Sequence, residues 1–457
     1  MKIHLIAIGG SAMHNMALAL QKRGYQVTGS DDEINEPSKS RLQKAGLLPK
    51  DIGWYPDKIN ESTEAVIVGM HARPDNPELI RAKSLGIKIY SYPEYVYEQS
   101  KNKTRIVIGG SHGKTTITSM ILHALNYYEK EFDFLVGAQL RGFDNMVKFS
   151  DSAPYIVIEG DEYLSSPIDP RPKFHLYHPH IALLSGIAWD HINVFPTFEN
   201  YIDQFKKFIE LIEENGNLIY CENDEILSNL AKRTYCRGEK IPYGVPTHVI
   251  QNGITYLKFE DQSFSLKIFG EHNLMNLEGA RKVCEAMGIE GSKFYTAMES
   301  FEGASKRLEI VRKEDNFCFF KDFAHSPSKL KASISAVKNQ FPDRKLIAGM
   351  ELHTFSSLNE NFLKEYFGSM SQADEAIVYF NPHTIEHKKL KAITEEQVKK
   401  SFGAHPCLTV CTNSSEITNM LQNKAWNNKN LLLMSSGNFD GINFEAFAKT
   451  LTIQLPN

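Results

Sequence analysis

The stretch Gly110-Ser111-His112-Gly113-Lys114-Thr115-Thr116 decides the fold class of this 457-residue chain. It follows an apolar run at 106–108 and precedes apolar residues at helical spacing from 117 to 125. A strand, a glycine turn and a helix in that order direct backbone N–H groups and a helix N-terminus at an anion. The stretch therefore predicts a nucleotide phosphate site, in which Lys114 reaches the outer phosphates and Thr115 or Thr116 holds Mg²⁺. A plain turn is the alternative.

This loop is shorter than the common phosphate-binding loop. The common form, G-x-x-x-x-G-K-[ST], would need glycine at position 108, where this chain has Ile108. Here Gly110 and Gly113 enclose only two residues, one of which is His112. The sequence thus predicts an uncommon type of nucleotide loop.

The composition indicates an ordinary soluble globular protein of two to four domains, with 42% hydrophobic and 23% charged residues. A net charge of −4 gives no reason to expect nucleic acid or an anionic membrane as a partner. The chain has no apolar stretch of about 18 residues, so no transmembrane helix is predicted. The N-terminus does not resemble a signal peptide, and six scattered cysteines without a C-x-x-C pair predict free thiols. We therefore expect a cytoplasmic location.

The first thirty residues predict a β-α-β unit. A strand at 3–8 leads through Gly9 and Gly10 into a helix that Gly24 ends, and the next strand ends at Asp31. This order resembles a dinucleotide-binding fold. Because G-x-G-x-x-G is absent, a nicotinamide or flavin cofactor is disfavoured.

Strand and helix patterns alternate along the rest of the chain and predict an α/β protein of three domains with mainly parallel sheets. We expect a Rossmann-like N-terminal domain at 1–103, a central P-loop ATPase domain at 104–307 and a Rossmann-like C-terminal domain at 308–457. An antiparallel hairpin is predicted around Asp261-Gln262.

Acidic residues follow two predicted strands of the central domain. Glu159-Gly160-Asp161-Glu162 comes after a strand that ends at 158, and Asp190-His191 comes after the next one. Carboxylates at the carboxyl end of a parallel strand beside a phosphate loop suit Mg²⁺. A solvated acidic turn is the alternative for the first group, and a structural pair for the second.

Several polar residues near the second domain junction are also candidates for nucleotide binding. Asn273 and Asn276 lie one helical turn apart and can present amides on one face, or Asn273 can cap the helix. Arg307 offers five donors to a γ-phosphate, or forms a surface salt bridge. Asp322 and His325 can accept a ribose hydroxyl and flank a base, or form an ordinary turn.

The chain resembles the Mur ligase family over nearly its whole length, because six segments occur in that family's order and spacing. They are Gly110–Thr116, Glu159–Glu162, Asp190-His191, Gly270–Asn276, Lys306-Arg307 and Asp322–Pro327. The resemblance implies a UDP-sugar domain, an ATPase domain and an amino-substrate domain. It also implies ATP-dependent amide bond formation through an acyl phosphate.

The resemblance further implies roles for individual residues. Lys114 and Arg307 would hold the γ-phosphate, while Thr115, Glu162 and His191 would bind Mg²⁺. Other ATP contacts would come from Gly110, His112, Gly113 and Thr116 in the loop, Asn273 and Asn276 at the adenine, Asp322 at the ribose and His325. The UDP-sugar would contact Gly9, Gly10, Ser11, Met13, Ser30 and Asp31.

The amino substrate is less strongly indicated. The stretches 169–177, 351–357 and 436–442 resemble the murein-peptide ligases of the family, which join UDP-N-acetylmuramate to the tripeptide L-alanyl-γ-D-glutamyl-meso-diaminopimelate. L-Alanine addition is the alternative; a folylpolyglutamate synthetase-like ligase and a non-catalytic ATP-binding scaffold are remoter ones. We expect a monomer or weak homodimer.

Three residues depart from the family pattern. Ala7 stands where the first turn often has glycine, and Asn193 replaces the usual aspartate of D-H-x-D. Lys206 lies near the position of a carbamylated lysine in several Mur ligases. The murein-peptide type does not usually have that group, so a solvent-facing helix lysine is the favoured prediction for Lys206.

Overall fold

The structure is a computed structural model that describes residues 1–70, 72–140, 142–189, 194–303, 307–403 and 405–453. The chain forms two compact units. The first consists of Met1–Val245 with Met275–Met298, and the second of Pro246–Leu274 with Glu299–Asn457.

The first unit begins with a four-stranded parallel sheet in the order β2-β1-β3-β4. Its strands and the helices between them are β1 Lys2–Ile6, α1 Ser11–Lys22, β2 Gln26–Ser30, α2 Ser38–Lys44, β3 Ala65–Val68, α3 Pro77–Ser84, β4 Lys88–Ser91 and α4 Tyr92–Ser100. Because the chain runs from β1 to β2 on one side and then to β3 on the other, the loop after β1 lies at a switch point. Ligands commonly bind at such a point in open α/β sheets.

The same unit contains a seven-stranded sheet in the order β13-β12-β11-β5-β8-β6-β7, parallel except for β7. Its strands are β5 Thr104–Gly109, β6 Phe132–Leu135, β7 Val147–Lys148, β8 Tyr155–Glu159, β11 Ile181–Leu184, β12 Asn217–Cys221 and β13 Glu239–Tyr243, with a small hairpin of β9 Leu164–Ser166 and β10 Asp169–Pro172. The accompanying helices are α5 Lys114–Tyr127, α6 Phe198–Glu210, α7 Glu225–Arg233 and α9 Gly291–Met298, together with the part of α8 Glu271–Ala286 that begins at Met275. Strand β5 lies between β8 and β11, so the phosphate loop after it occupies this sheet's switch point.

The second unit starts with a three-stranded antiparallel sheet of β14 His248–Gln251, β15 Ile254–Phe259 and β16 Gln262–Leu266. The predicted hairpin is confirmed, with its turn one residue earlier than expected, at Glu260-Asp261. The first of the three strands was not predicted from the sequence.

The second unit also holds a six-stranded sheet in the order β17-β18-β22-β19-β20-β21, in which only β17 is antiparallel. Its strands are β17 Glu309–Glu314, β18 Phe317–Asp322, β19 Lys345–Leu352, β20 Glu375–Phe380, β21 Leu408–Cys411 and β22 Lys429–Met434. Its helices are α10 Pro327–Gln340, α11 Glu360–Leu363, α12 Pro382–His387, α13 Glu395–Ser401, α14 Ser414–Gln422 and α15 Phe444–Thr450. Alternate residues of β18 enter different cores: Phe317 and Phe319 on one face, Cys318 and Phe320 on the other. Both faces are thus covered, as in doubly wound sheets.

Other sequence-based expectations are also met. All six cysteines are free thiols. No helix among the described residues is long and apolar enough to span a bilayer.

Candidate active site

The phosphate loop depends on two glycines with left-handed backbone angles. Gly110 has φ +117° and Gly113 has φ +81°. A Cβ on Gly110 would lie 2.8 Å from the backbone nitrogen of Ser185, and one on Gly113 would collide with the side chain of Asn276. Glycine is therefore needed at both positions for backbone angle and for space.

Lys114 is the first residue of α5, and its ammonium group turns back over the loop. Nζ donates to the carbonyl of Gly110 at 2.8 Å and to Oε2 of Glu162 at 2.8 Å. The side chains are 14% and 2% exposed, so this is a largely buried ion pair. Burial disfavours the ammonium, but the carboxylates led by Glu162 outweigh that effect and raise the pKa of Lys114.

Glu162 is held by groups from distant parts of the chain. The hydroxyl of Tyr201, on α6, donates to Oε1 of Glu162 at 3.1 Å and lies 3.0 Å from Oγ of Ser111. Ser111 in turn accepts from the backbone N–H of Ala188 at 2.8 Å. Tyr201 was not identified from the sequence, because nothing in its surroundings marks it as facing the loop.

Thr115 faces a second carboxylate. Its hydroxyl donates to Oε1 of Glu159 at 2.7 Å, and the N–H of Gly137 donates to Oε2 at 2.9 Å. Burial and the neighbouring Asp161 raise the pKa of Glu159. Thr116 is buried inside the first turn of α5, so Thr115 is the hydroxyl that meets an acidic group.

His112 takes part in closing the loop. Its carbonyl accepts a hydrogen bond from the hydroxyl of Ser185, which follows β11. The N–H of Ser111 donates to the carbonyl of Gly186 at 3.1 Å. The loop is therefore tied to the neighbouring strand end as well as to its own helix.

Three carboxylates lie at or near the loop, and two of them pair with lysines. Glu159 and Glu162 face the loop, while Asp161 pairs with Lys173 at 3.2 Å. Within the described ranges no three His, Cys, Asp or Glu side chains form a ready metal cluster. The predicted ligand His191 lies outside the described residues, as do Asp190, Asn193 and Lys306.

Asn276 and Asn273, both on α8, have different surroundings. Asn276 packs against Gly113 of the loop. The amide of Asn273 instead donates to the carbonyl of Phe269 at 3.0 Å. The helix begins at Glu271, so the alternative that Asn273 caps it is wrong: Asn273 lies within the first turn.

In the second unit, three of the predicted residues lie close together. The guanidinium of Arg307 lies 5.3 Å above the ring of Phe323, and Asp322 accepts from the N–H of Ala324 at 3.3 Å and from the hydroxyl of Ser333. His325 directs Nδ1 at the carbonyl of Phe323, at 2.8 Å.

His272 joins this group although the sequence did not single it out. Burial lowers its pKa, and the nearby Asp322 carboxylate offsets only part of that effect, while Arg307 adds to the lowering. Among the described residues its buried Nδ1 has no hydrogen-bond partner. A ligand group could fill that role, since buried polar atoms are normally paired.

The predicted UDP-sugar residues gather at the end of the first sheet. The N–H of Gly9 donates to Oδ2 of Asp31 at 2.6 Å, and burial raises the pKa of that carboxyl. Buried Ser30 accepts from the backbone N–H of Ala7 through its carbonyl, at 2.9 Å. Ala7 itself has φ +66°, the angle that glycine would supply there. The turn keeps its shape despite this departure from the family pattern.

Gly10, Ser11 and Met13 form the start of α1. Gly10 precedes the helix, Ser11 is exposed at its first position, and Met13 is buried. Only Ser11 of the three presents its side chain to solvent here.

Lys206 lies on α6 and is half exposed. Its Nζ lies 3.9 Å from Oε1 of Glu210. This position confirms the prediction of a solvent-facing helix lysine.

Comparisons with known proteins account for this arrangement. Three family profiles match consecutive segments: "Mur ligase family, catalytic domain" at 2–104, "Mur ligase middle domain" at 108–284 and "Mur ligase, glutamate ligase domain" at 306–437. The UDP-N-acetylmuramate–L-alanine ligase of Caldicellulosiruptor bescii is 30% identical over 410 residues, 87% of each chain. The chain belongs to the Mur ligase family.

Solved Mur ligase structures share the whole fold. The UDP-N-acetylmuramate–alanine ligase of Thermotoga maritima matches with a TM-score of 0.69 and 21% identity over 98% of both chains. The murein peptide ligase of Psychrobacter arcticus matches with a TM-score of 0.62 and 22% identity over 100% of both chains. The three-domain α/β architecture predicted from the sequence is therefore confirmed, and this Mur ligase is an ATP-dependent enzyme that forms amide bonds.

Proposed function

We propose that this Mur ligase joins the carboxylate of UDP-N-acetylmuramate to the amino group of L-alanyl-γ-D-glutamyl-meso-diaminopimelate. A carboxylate oxygen attacks the γ-phosphorus of ATP and ADP leaves, which gives an acyl phosphate. The amine then attacks the acyl carbon, loses a proton, and inorganic phosphate leaves with the former carboxylate oxygen. One ATP is consumed for each amide bond.

Lys114 is proposed to hold the γ-phosphate, with Gly110, His112, Gly113 and Thr116 shaping the loop around the phosphates. The buried pair with Glu162 supports this role, because it keeps the ammonium charged and pointed over the loop. Such preorganised positive charge stabilises the transferring phosphoryl group without much rearrangement.

The other ATP contacts are proposed to come from residues beyond the loop. Arg307 would add charge at the γ-phosphate, Asp322 and His325 would meet the ribose and base, and Asn273 with Asn276 the adenine. The buried unpartnered nitrogen of His272 supports a ligand beside Asp322.

Mg²⁺ is proposed to bind at Thr115, Glu162 and His191, with Glu159 as an additional ligand. The oxygen donors of Thr115, Glu159 and Glu162 suit Mg²⁺. When bound, the ion would withdraw charge from the phosphoryl oxygens.

The UDP-sugar is proposed to lie at the switch point of the first sheet, against Gly9, Gly10, Ser11, Met13, Ser30 and Asp31. The hydrogen bond from Gly9 to Asp31 and the left-handed angle of Ala7 support a preformed turn there. The boundaries 1–103, 104–307 and 308–457 and a cytoplasmic monomer or weak homodimer remain part of this proposal.

The observation that carries the peptide substrate is a strip of residues in the second unit. A cavity of about 270 Å³ is lined by Asp322, Ser435, Gly437 and Asn438, among others. A Cβ on Gly437 would lie 2.9 Å from the ring of His353, so this histidine packs against the wall of the cavity.

The proposed far end of the strip is the pair of Phe355, two residues after His353, and Lys388, which is aromatic and basic. Phe355 is 61% exposed, and Nζ of Lys388 lies 4.4 Å from the centre of its ring. Buried Glu351 fixes the near end by accepting from the N–H of Phe439 at 2.8 Å and from the hydroxyl of Ser435. A peptide that carries several carboxylates suits such a surface, whereas L-alanine carries only one.

L-Alanine addition is the alternative, because the Caldicellulosiruptor bescii relative bears that name. The deciding assay is phosphate release from ATP with UDP-N-acetylmuramate and either the tripeptide or L-alanine. We expect a higher kcat/KM with the tripeptide, and a Lys388→Met variant should raise its KM by about tenfold, the equivalent of about 1.4 kcal/mol.

Lys391→Met is the matched control, because Lys391 pairs with Glu360 at 2.6 Å instead of lying over Phe355. It should leave the tripeptide KM within about twofold of wild type, well below the 1.4 kcal/mol of a tenfold change. Efficient turnover with L-alanine alone would replace the proposed amine.

A further inference from the structure

A polar cluster joins the first and second sheets of the first unit. Asn15, on α1, is fully buried, and its amide nitrogen donates to the carbonyl of Ser11 at 2.7 Å. Its Oδ1 accepts from Arg41 at 2.9 Å and from the backbone N–H of Met146 at 3.2 Å. Asn145 adds a bond from its amide to the carbonyl of Asn15, at 3.0 Å.

Arg41, on α2, spans the joint. One terminal nitrogen contacts Asn15 and Nε2 of His14, while the other donates to the carbonyl of Asp144 at 2.7 Å and to Oδ1 of Asn145 at 3.2 Å. Within the described ranges it forms no ion pair with a carboxylate. Its charge is thus placed among neutral acceptors beside α1, and its contacts are all within the joint.

His14 connects this cluster to the proposed UDP-sugar turn. Its Nε2 faces two donors, Arg41 and the amide of Asn15, and therefore accepts. Nδ1 then carries the proton and donates to the carbonyl of Gly10 at 3.0 Å. Burial lowers the pKa of His14, which keeps the ring neutral in this tautomer.

From the joint, hydrogen bonds continue to the phosphate loop. The carbonyl of Met146 accepts from the N–H of Val136 at 2.9 Å. The next residue, Gly137, donates to Glu159, and Glu159 accepts from Thr115. An unbroken path therefore links the turn at Gly10 to the first turn of α5.

We propose that Arg41 and Asn15 are positioning residues that couple occupancy of the UDP-sugar site to the Thr115–Glu159 end of the ATP site. The inference rests on the proposed function, because it takes the turn at Gly9-Gly10 as the UDP-sugar site. Binding of either ligand then orders the same joint, so each ligand lowers the Kd of the other.

Calorimetric titration of the full chain tests this coupling. Adenylyl imidodiphosphate with Mg²⁺ is titrated with and without saturating UDP-N-acetylmuramate. In wild type we expect its Kd to fall by a factor between about 5 and 150, the usual range of such coupling. In Arg41→Met we expect a factor below about 2, with only small changes in the Kd of each ligand alone.

Two further variants separate coupling from folding. Arg41→Lys keeps the charge but cannot bridge four acceptors, so it should retain only part of the coupling. Arg23→Met is the matched control, since Arg23 lies at the C-terminal end of α1, the helix of Asn15, and bonds Gln99 and the 91% exposed Asp151. It should keep the wild-type coupling factor, and thermal unfolding should show both methionine variants folded.

The outcomes are distinct. Binding of both ligands to wild type without coupling would overturn the inference and leave the proposed function in place. The same holds if Arg41→Met keeps the wild-type coupling factor, or if Arg23→Met loses as much coupling as Arg41→Met. Failure of wild type to bind UDP-N-acetylmuramate would overturn both.

Discussion

The buried pair of Lys114 and Glu162 couples stability to function at the level of single residues. In Lys114→Met, the Glu162 carboxylate loses its cation, and breaking such a pair costs about 3–5 kcal/mol of unfolding free energy. The variant should also lose at least about 100-fold in kcat, as when a preorganised donor is removed. Urea unfolding and phosphate release measure the two effects.

The double variant Lys114→Met/Glu162→Gln separates them. It should regain most of the lost stability, because the uncompensated charge is gone, yet remain inactive. Recovery of activity in the double variant would show that Lys114 has no role at the phosphate.

The two threonines of the loop should behave differently towards Mg²⁺. Thr115 points its hydroxyl at Glu159, whereas Thr116 is buried. Thr115→Val should raise the Mg²⁺ concentration for half-maximal activity by about 10-fold or more, while Thr116→Val should leave it unchanged. Equal shifts in Mg²⁺ titrations of the two variants would refute the assignment.

The site residues that the sequence identifies lie next to the end of a strand and belong to a local pattern. Lys114, Glu162 and Asp31 belong to this class. Tyr201 reaches Glu162 only through the fold, and His272 is marked by burial beside Asp322, which no local spacing shows. Long-range contacts of this kind could not be predicted from single-sequence patterns.

At the level of elements, the start of α5 requires glycine for two separate reasons. Gly24, which follows α1, provides the reference. Gly24→Ala introduces left-handed strain alone, because φ is +84° and no atom lies within 4 Å of the new Cβ. We expect its unfolding free energy to fall by about 1–2 kcal/mol. Gly113→Ala adds the collision with Asn276, so it should lose more stability and also ATP binding. Chemical unfolding and nucleotide titration distinguish the two variants.

The matching rescue is Gly113→Ala/Asn276→Ala, which removes the collision but keeps the strain. Its stability loss should approach that of Gly24→Ala. If Gly113→Ala alone costs no more than Gly24→Ala, the packing of Asn276 on the loop is not tight.

The short 3₁₀ turn at Lys173–Leu176 should make the packing of α6 dependent on pH. Nε2 of His175 lies 2.8 Å from the carbonyl of Gln204, and burial lowers the pKa of His175 to about 4. The unfolded chain binds a proton near pH 6.5 while the folded chain does not, so stability falls as pH drops from about 6.5 to about 4. The shift corresponds to about 3 kcal/mol at most.

His175→Gln keeps a donor for Gln204 without the titration. Its unfolding free energy should fall less than that of wild type between pH 7 and pH 4.5, as measured by urea titration at each pH. Parallel pH dependences would show that His175 does not contribute.

At the level of the whole molecule, the parallel sheets were predictable because their strands are continuous apolar runs, as at 106–108 and 181–184. Strand β17 was missed because charged residues interrupt it, and β21 because it has only four residues. The joint of Asn15 with Met146 links residues 131 positions apart. Contacts at such separation follow from domain packing and leave no local pattern.

The most direct test of an acyl phosphate follows one oxygen atom. UDP-N-acetylmuramate labelled with ¹⁸O in its carboxylate is incubated with the enzyme, ATP, Mg²⁺ and the tripeptide, and the released phosphate is analysed by mass spectrometry. The account predicts one ¹⁸O in each phosphate released. Amide formation with unlabelled phosphate would contradict it.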